Sequence, residues 1–107
     1  MGTLLGVLSA LSLVGMPAAT AAAAKTHRVR ITKFTFQPAV LTIFAGDKVE
    51  WINEDFAPHT ATERETGAWD TGELGKGEAA GVTFDAQGSY DYYCVFHPHM
   101  RGRIVVI

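Results

Sequence analysis

Cysteine is nearly absent: Cys94 is the only one in 107 residues, so no disulfide can close within the chain. Small exported domains are ordinarily stapled by such bridges, and the lone thiol therefore needs another account: an inert buried side chain, an intermolecular bridge or a metal ligand. Excess positive charge is missing too. The formal net charge of −2 argues against a nucleic-acid binder held by phosphate contacts. No segment after Lys25 keeps a helical period for long, and no apolar run is long enough to span a bilayer. Neither an internal repeat nor a low-complexity linker marks a second domain, and the length suffices for one.

Charge is also absent from residues 1–24, MGTLLGVLSALSLVGMPAATAAAA, which run apolar from Leu4 to Val14 and end in alanines offering several A-x-A cleavage sites. This is the layout of a secretory signal peptide, although no basic residue precedes the apolar core. An alanine-rich helix of the folded domain is the competing reading, but the segment has no polar face to make it amphipathic. The expected organisation is a signal peptide over 1–24 and one domain over 25–107, exported to the periplasm and free of stable membrane insertion after processing. A domain of that size buries only about 60 to 65 per cent of its unfolded surface, so an additional staple would help it.

What the remaining chain does contain is short β-rich runs divided by turn residues. THRVRITKFTF places Val29 and Ile31 in one phase and Phe34 and Phe36 in the other, which predicts a bulge or sheet-switching bend near Thr32 and Lys33. VLTIF, KVEWIN, GVTF, SYDYYC and GRIVVI follow as further strands, with Tyr90, Tyr92 and Cys94 on one face. The polar stretch from Glu63 to Ala80 reads as a surface excursion with a brief extended piece at Trp69 to Thr71. Seven or so short strands predict an all-β sandwich. The basic group Lys25, Arg28, Arg30 and Lys33 and the acidic middle of the chain read as ordinary solvated faces, and His27 as exposed.

The segment YYCVFHPHM carries the chemistry. Cys94, His97 and Met100 stand at i, i+3 and i+6 on a short segment that must turn back before the last strand. A thiolate, an imidazole and a thioether form a soft donor set best suited to copper. A second imidazole, His59 after Pro58, can fill the vacancy, giving two nitrogens and one thiolate with a weak axial methionine. Singly, each residue has a bland reading as core filler or surface histidine; the joint spacing favours the metal. His97 and His99 flank Pro98 and diverge in extended geometry, so only one of them is expected to reach the ion.

These residues resemble the cupredoxins, and within them the amicyanin group, over nearly all of Val29 to Ile107. The resemblance rests on GSYDYYCVFHPHMRGRIVVI, with its Tyr-Asp-Tyr-x-Cys strand, Cys-x-x-His-Pro-x-Met loop and Met-Arg-Gly exit, and on VEWIN followed by a Pro-His loop. It implies an eight-stranded Greek-key sandwich and one type 1 copper ion, cycling between Cu(I) and Cu(II), on His59, Cys94, His97 and Met100. It also implies that the amide after His59 points at the Cys94 sulfur. Three positions depart from the group's pattern: Thr60 replaces asparagine, Phe96 replaces proline and His99 replaces phenylalanine. The expectation for Thr60 is that its shorter hydroxyl only partly replaces the asparagine's bond between the loops.

The implied function is one-electron shuttling between exported redox proteins, such as a c-type cytochrome or a periplasmic dehydrogenase, by a monomer. Phe56, Ala57, Pro58, Phe96 and Pro98 would form a small apolar docking rim. A periplasmic copper-binding and delivery protein using the same ligands is the alternative. Catalysis is not expected, because only four histidines are present, too few for the additional copper sites of the copper oxidases and nitrite reductases, and no nucleophile and base arrangement is apparent.

Overall fold

The computed structural model describes residues 23–107; the leader expected over 1–24 lies almost wholly outside them. The described residues hold eight strands and no helix: β1 (Thr26–Thr32), β2 (Thr35–Gln37), β3 (Val40–Ile43), β4 (Lys48–Asn53), β5 (Thr62–Glu63), β6 (Ala79–Thr83), β7 (Gly88–Tyr93) and β8 (Arg101–Val106). They form two four-stranded sheets, in the orders β2-β1-β4-β6 and β3-β8-β7-β5. Each sheet is mixed, with one parallel pair, β1 with β4 and β3 with β8, among antiparallel neighbours.

Alternation decides which side chains meet between the sheets. Val29 and Ile31 from β1, Val49 and Trp51 from β4, Tyr92 from β7, and Ile104 and Val106 from β8 are all buried. At the centre the Trp51 ring meets Tyr92 edge-on with centroids 5.3 Å apart, and Phe36 meets Tyr92 at 4.7 Å. Tyr92 lies across Gly102, its partner on β8, so closely that its ring occupies the space a Cβ at 102 would need.

The excursion after β5 also enters the core, contrary to its reading as surface. Trp69 stacks on Trp51 at 5.2 Å and meets Phe84 at 5.3 Å. The expected extended piece is reduced to an isolated bridge between Thr62 and Asp70.

The predicted bend near Thr32 and Lys33 is a tight hairpin instead. Thr32 pairs with Thr35, and the two residues between them, Lys33 and Phe34, both take left-handed backbone angles, with φ of 53° and 58°. Such a primed turn matches the twist of the strands it joins, but it normally recruits glycine or asparagine. Here the Asp55 carboxylate accepts both turn amides, Lys33 N–H at 2.7 Å and Phe34 N–H at 2.9 Å, and holds the conformation from outside the hairpin.

Arg28 pairs with Glu50 and Arg30 with Glu54 at the surface, as solvated charges do. Two acidic residues do not follow that reading. Asp47 is 4% exposed and Glu63 6%, each carboxylate saturated by hydrogen bonds. His27, expected to be exposed, is partly buried and meets Asp47 through Nε2 at 2.9 Å.

Candidate metal centre

Two loops at one end of the sandwich bring the candidate donors together. The first leaves β4 at Asn53, whose buried side-chain amide donates to the carbonyls of Ala57 and Leu74, at 2.9 and 2.8 Å, while its oxygen accepts the Asp55 amide. His59 follows, its backbone exchanging two hydrogen bonds with Leu74 at 3.1 and 2.8 Å. Both attachments fix the height of the imidazole, which is wholly buried.

The second loop runs from Cys94 at the end of β7 to Met100 at the start of β8. Its backbone folds into successive turns: His97 N–H donates to Cys94 C=O, Met100 N–H to His97 C=O, and Cys94 N–H to Met100 C=O. This compaction ties residues 94, 97 and 100 together through their backbones. Cys94 and Met100 are buried and His97 is half-buried.

His59 Nδ1 stands 3.7 Å from Cys94 Sγ. Two donors about 2.0 to 2.3 Å from one ion, at tetrahedral to trigonal angles, stand about 3.6 to 3.8 Å apart, so this pair fits a shared metal. The His97 ring centroid is 5.1 Å from that of His59. Among the described residues no three His, Cys, Asp or Glu side chains already form a metal cluster; His59 with Cys94 is the preformed pair, and His97 faces it from the solvent side. His99 is exposed, its ring 6.5 Å from that of His97.

The sulfur has a backbone hydrogen-bond donor beside it. The Thr60 amide points at Cys94 Sγ, 3.4 Å away, as expected of the residue after His59. The Thr60 hydroxyl reaches the other loop: Oγ1 accepts the Val95 amide at 3.0 Å and bonds the Thr62 hydroxyl at 2.9 Å. The short side chain thus joins the two loops through one hydrogen bond.

Two further contributors escaped the sequence reading. Asp55 Oδ2 meets His59 Nε2 at 2.9 Å, an arrangement in which Nε2–H donates and Nδ1 is left free toward the sulfur. Burial works against the Asp55 charge, yet the Phe34 amide, His59 and the Lys33 amide outweigh it and hold its carboxyl below the usual aspartate range. Phe34, from the strained hairpin, makes T-shaped contacts with both imidazoles, its ring centroid 4.9 Å from that of His59 and 4.8 Å from that of His97. A carboxylate four residues before a candidate histidine was the available signal for Asp55. None marked Phe34, whose approach depends on the turn.

A family model described as a cupredoxin-like domain matches residues 4–106. The chain belongs to the cupredoxin-like family. This cupredoxin is 35% identical to amicyanin of Paracoccus versutus over 82 residues, covering 73% of this chain and 62% of that one. It is 32% identical to amicyanin-alpha of Methylorubrum extorquens over 102 residues, covering 92% and 86%. The chain thus spans only 62 to 63% of the length of the Paracoccus amicyanins it matches.

Among solved structures, the amicyanin of Paracoccus versutus superposes with a TM-score of 0.69 at 34% identity, covering 84% of this chain and 87% of that one. A copper-containing nitrite reductase from Thermus scotoductus superposes at 0.73 and 32% identity, covering 88% of this chain but 25% of the enzyme. The expected fold and the likeness to amicyanin are therefore both found.

Proposed function

We propose that this cupredoxin is an exported one-electron carrier with a single type 1 copper ion held by His59, Cys94, His97 and Met100. The carrying observation is the buried His59 Nδ1 and Cys94 Sγ pair, 3.7 Å apart, with the Thr60 amide aimed at the same sulfur. The amicyanin relatives support the same reading. The bound ion would supply the Cu(I)/Cu(II) couple.

The protein's part is to keep its donors still while the charge changes. Asp55 sets the His59 ring, Leu74 holds its backbone, Thr60 fastens one loop to the other, and the amide on sulfur stabilises the thiolate. His97, half-buried among exposed apolar side chains, is the exit for the electron. Phe56, Phe96, Val95 and Phe34 are 89, 46, 42 and 42% exposed, and with Pro58 and Pro98 they make a small apolar face suited to brief redox encounters. Lys76 Nζ lies 4.2 Å from the Phe56 ring centroid and adds a positive charge to this rim. A c-type cytochrome or a periplasmic dehydrogenase fits such a face.

The test is the visible and electron paramagnetic resonance spectrum of the copper-loaded protein, with Cys94→Ala as control. An intense blue thiolate-to-copper band with narrow copper hyperfine splitting, lost in the control, is expected, together with fast reversible voltammetry. A colourless protein, or a weak tetragonal copper spectrum, would overturn the assignment.

A further inference from the structure

The pole of the sandwich opposite the metal centre holds an arrangement that electron transfer does not explain. Asp47 closes the turn between β3 and β4, where Gly46 takes a φ of 97°, and its carboxylate is drawn inward to 4% exposure. Oδ2 accepts from the Phe44 amide at 3.1 Å and meets His27 Nε2 at 2.9 Å; Oδ1 accepts from the backbone N–H of Lys25 at 3.0 Å. Among the described residues His27 is its only ion-pair partner, and that pair carries a positive charge only when the imidazole is protonated. A buried carboxylate ordinarily has a full positive charge beside it. Here a backbone nitrogen occupies the place where that charge would sit.

That nitrogen belongs to the residue after Ala24. The alanine run allows the leader to be cut at more than one A-x-A, including Ala19-x-Ala21, Ala21-x-Ala23 and Ala22-x-Ala24. Only the last turns the Lys25 nitrogen into an α-amine. Cuts further upstream would place the new amine on alanines that are exposed where described and border an open groove with Phe44 and Ala45. Lys25 itself is anchored from the other side, since its carbonyl accepts the Lys48 amide at 2.9 Å.

We propose that the leader is hydrolysed between Ala24 and Lys25 and that the α-ammonium so formed docks on the Asp47 carboxylate as an internal ion pair. Water supplies the hydroxyl to the Ala24 carboxyl and a hydrogen to the Lys25 nitrogen, and the amine takes one further proton from solvent. A membrane-bound leader peptidase of the exporting cell is the catalyst. The one N–H that now meets Asp47 becomes a charged group with three donors, at a position β1 and β4 have already built. Asp47 held at about 2 by the Lys25 amide first and by His27 second is consistent with a site that keeps its negative charge. Removal of the leader thus completes the fold at this pole, and the precursor lacks the pair.

This inference rests on the export reading, and the experiment separates the two. The full 107-residue chain is expressed for export, and the copper-loaded product is weighed as an intact protein and its α-amine titrated by NMR. The expected product begins at Lys25, and its amine titrates above the ordinary value of about 7.7 to 8.0; Asp47→Asn returns it to that range. Because that variant can fail to fold, Ala24→Leu provides a second arm. It moves the cut to the bond before residue 24, leaves Asp47 in place, and is expected to give an amine with the ordinary value and a lower melting temperature. A product retaining residues 1–24 would overturn export and this inference together. A cut elsewhere in the alanine run would overturn the inference alone, as would a Lys25 amine that titrates in the ordinary range.

Discussion

Removing the Asp55 side chain gives the sharpest test of how the metal centre is supported. Three donors converge on its carboxylate: the Lys33 and Phe34 amides of the left-handed turn and Nε2 of His59. In Asp55→Ala the two amides, which lie at exposed positions, turn to water, so each bond forfeits only its net contribution of about 0.5 to 1.5 kcal/mol. The imidazole is fully buried. Its donor is left without a partner, which costs about 1 to 3 kcal/mol. The total is about 2 to 6 kcal/mol, and at about 4 to 8 °C per kcal/mol for a domain of this size the melting temperature falls by at least about 8 °C. Thermal and urea unfolding of the metal-free protein measure this without interference from the ion. Asp55→Asn, which can accept through one oxygen only, should fall between the parent and the alanine variant. With copper present, affinity should drop about 10- to 100-fold. A metal-free Asp55→Ala protein that melts within about 2 °C of the parent would refute the reasoning, because it would mean that neither the turn nor the buried imidazole depends on the carboxylate.

Gly102→Ala should destabilise by about 1 to 3 kcal/mol, because the new methyl displaces the buried Tyr92 ring; urea unfolding checks it, and near-neutrality would mean that the ring moves freely. Thr60→Val removes the acceptor of the Val95 amide and should cost about 1 kcal/mol while leaving the blue band in place, so a bleached variant would show that Thr60 does more than join loops. The metal-free protein should lose stability in acid through Asp47 and Glu63, each held at about 2, Glu63 chiefly by the Thr66 amide and then by other backbone donors. Both values lie below the unfolded ones of about 4, so this stabilisation is complete above about pH 5 and fades as the pH falls toward 2. A melting temperature that stays level from pH 5 to pH 2.5 would contradict it.

The parts of this protein legible in its sequence are those that depend on neighbours along the chain. Alternation in Val29 and Ile31, in Val49 and Trp51, and in Tyr90, Tyr92 and Cys94 marks strands and their inward faces, since the period of a strand is local. The spacing of Cys94, His97 and Met100 is equally local. What escaped needs contacts between distant segments. Trp69 sits in a polar, glycine-rich stretch that has no strand period, and only the presence of Trp51 shows it to be core. His27 reads as exposed until Asp47 lies beside it. The hairpin at Lys33 is not legible because a primed turn is recognised by glycine or asparagine, and here the conformation is held by a carboxylate more than 20 positions away.

Holding the turn by a carboxylate couples it to the candidate metal centre. A glycine turn would hold its shape unaided and could be placed at any distance from the metal. A Lys-Phe turn in the left-handed region is costly by about 1 to 2 kcal/mol per residue, and the Asp55 bonds that offset the cost tie it to the same carboxylate that orients His59. The turn and the imidazole therefore cannot move independently. What the sandwich gains from the strained choice is the Phe34 side chain, whose ring packs against both imidazoles in T-shaped contacts. The wall beside His97 is thereby supplied by the first sheet, while His97 itself is supplied by the second. Since Thr60 joins the two loops across the same gap, the candidate donors are held by both sheets at once, which is the rigidity the proposed electron carrier needs to change charge with little movement of its donors.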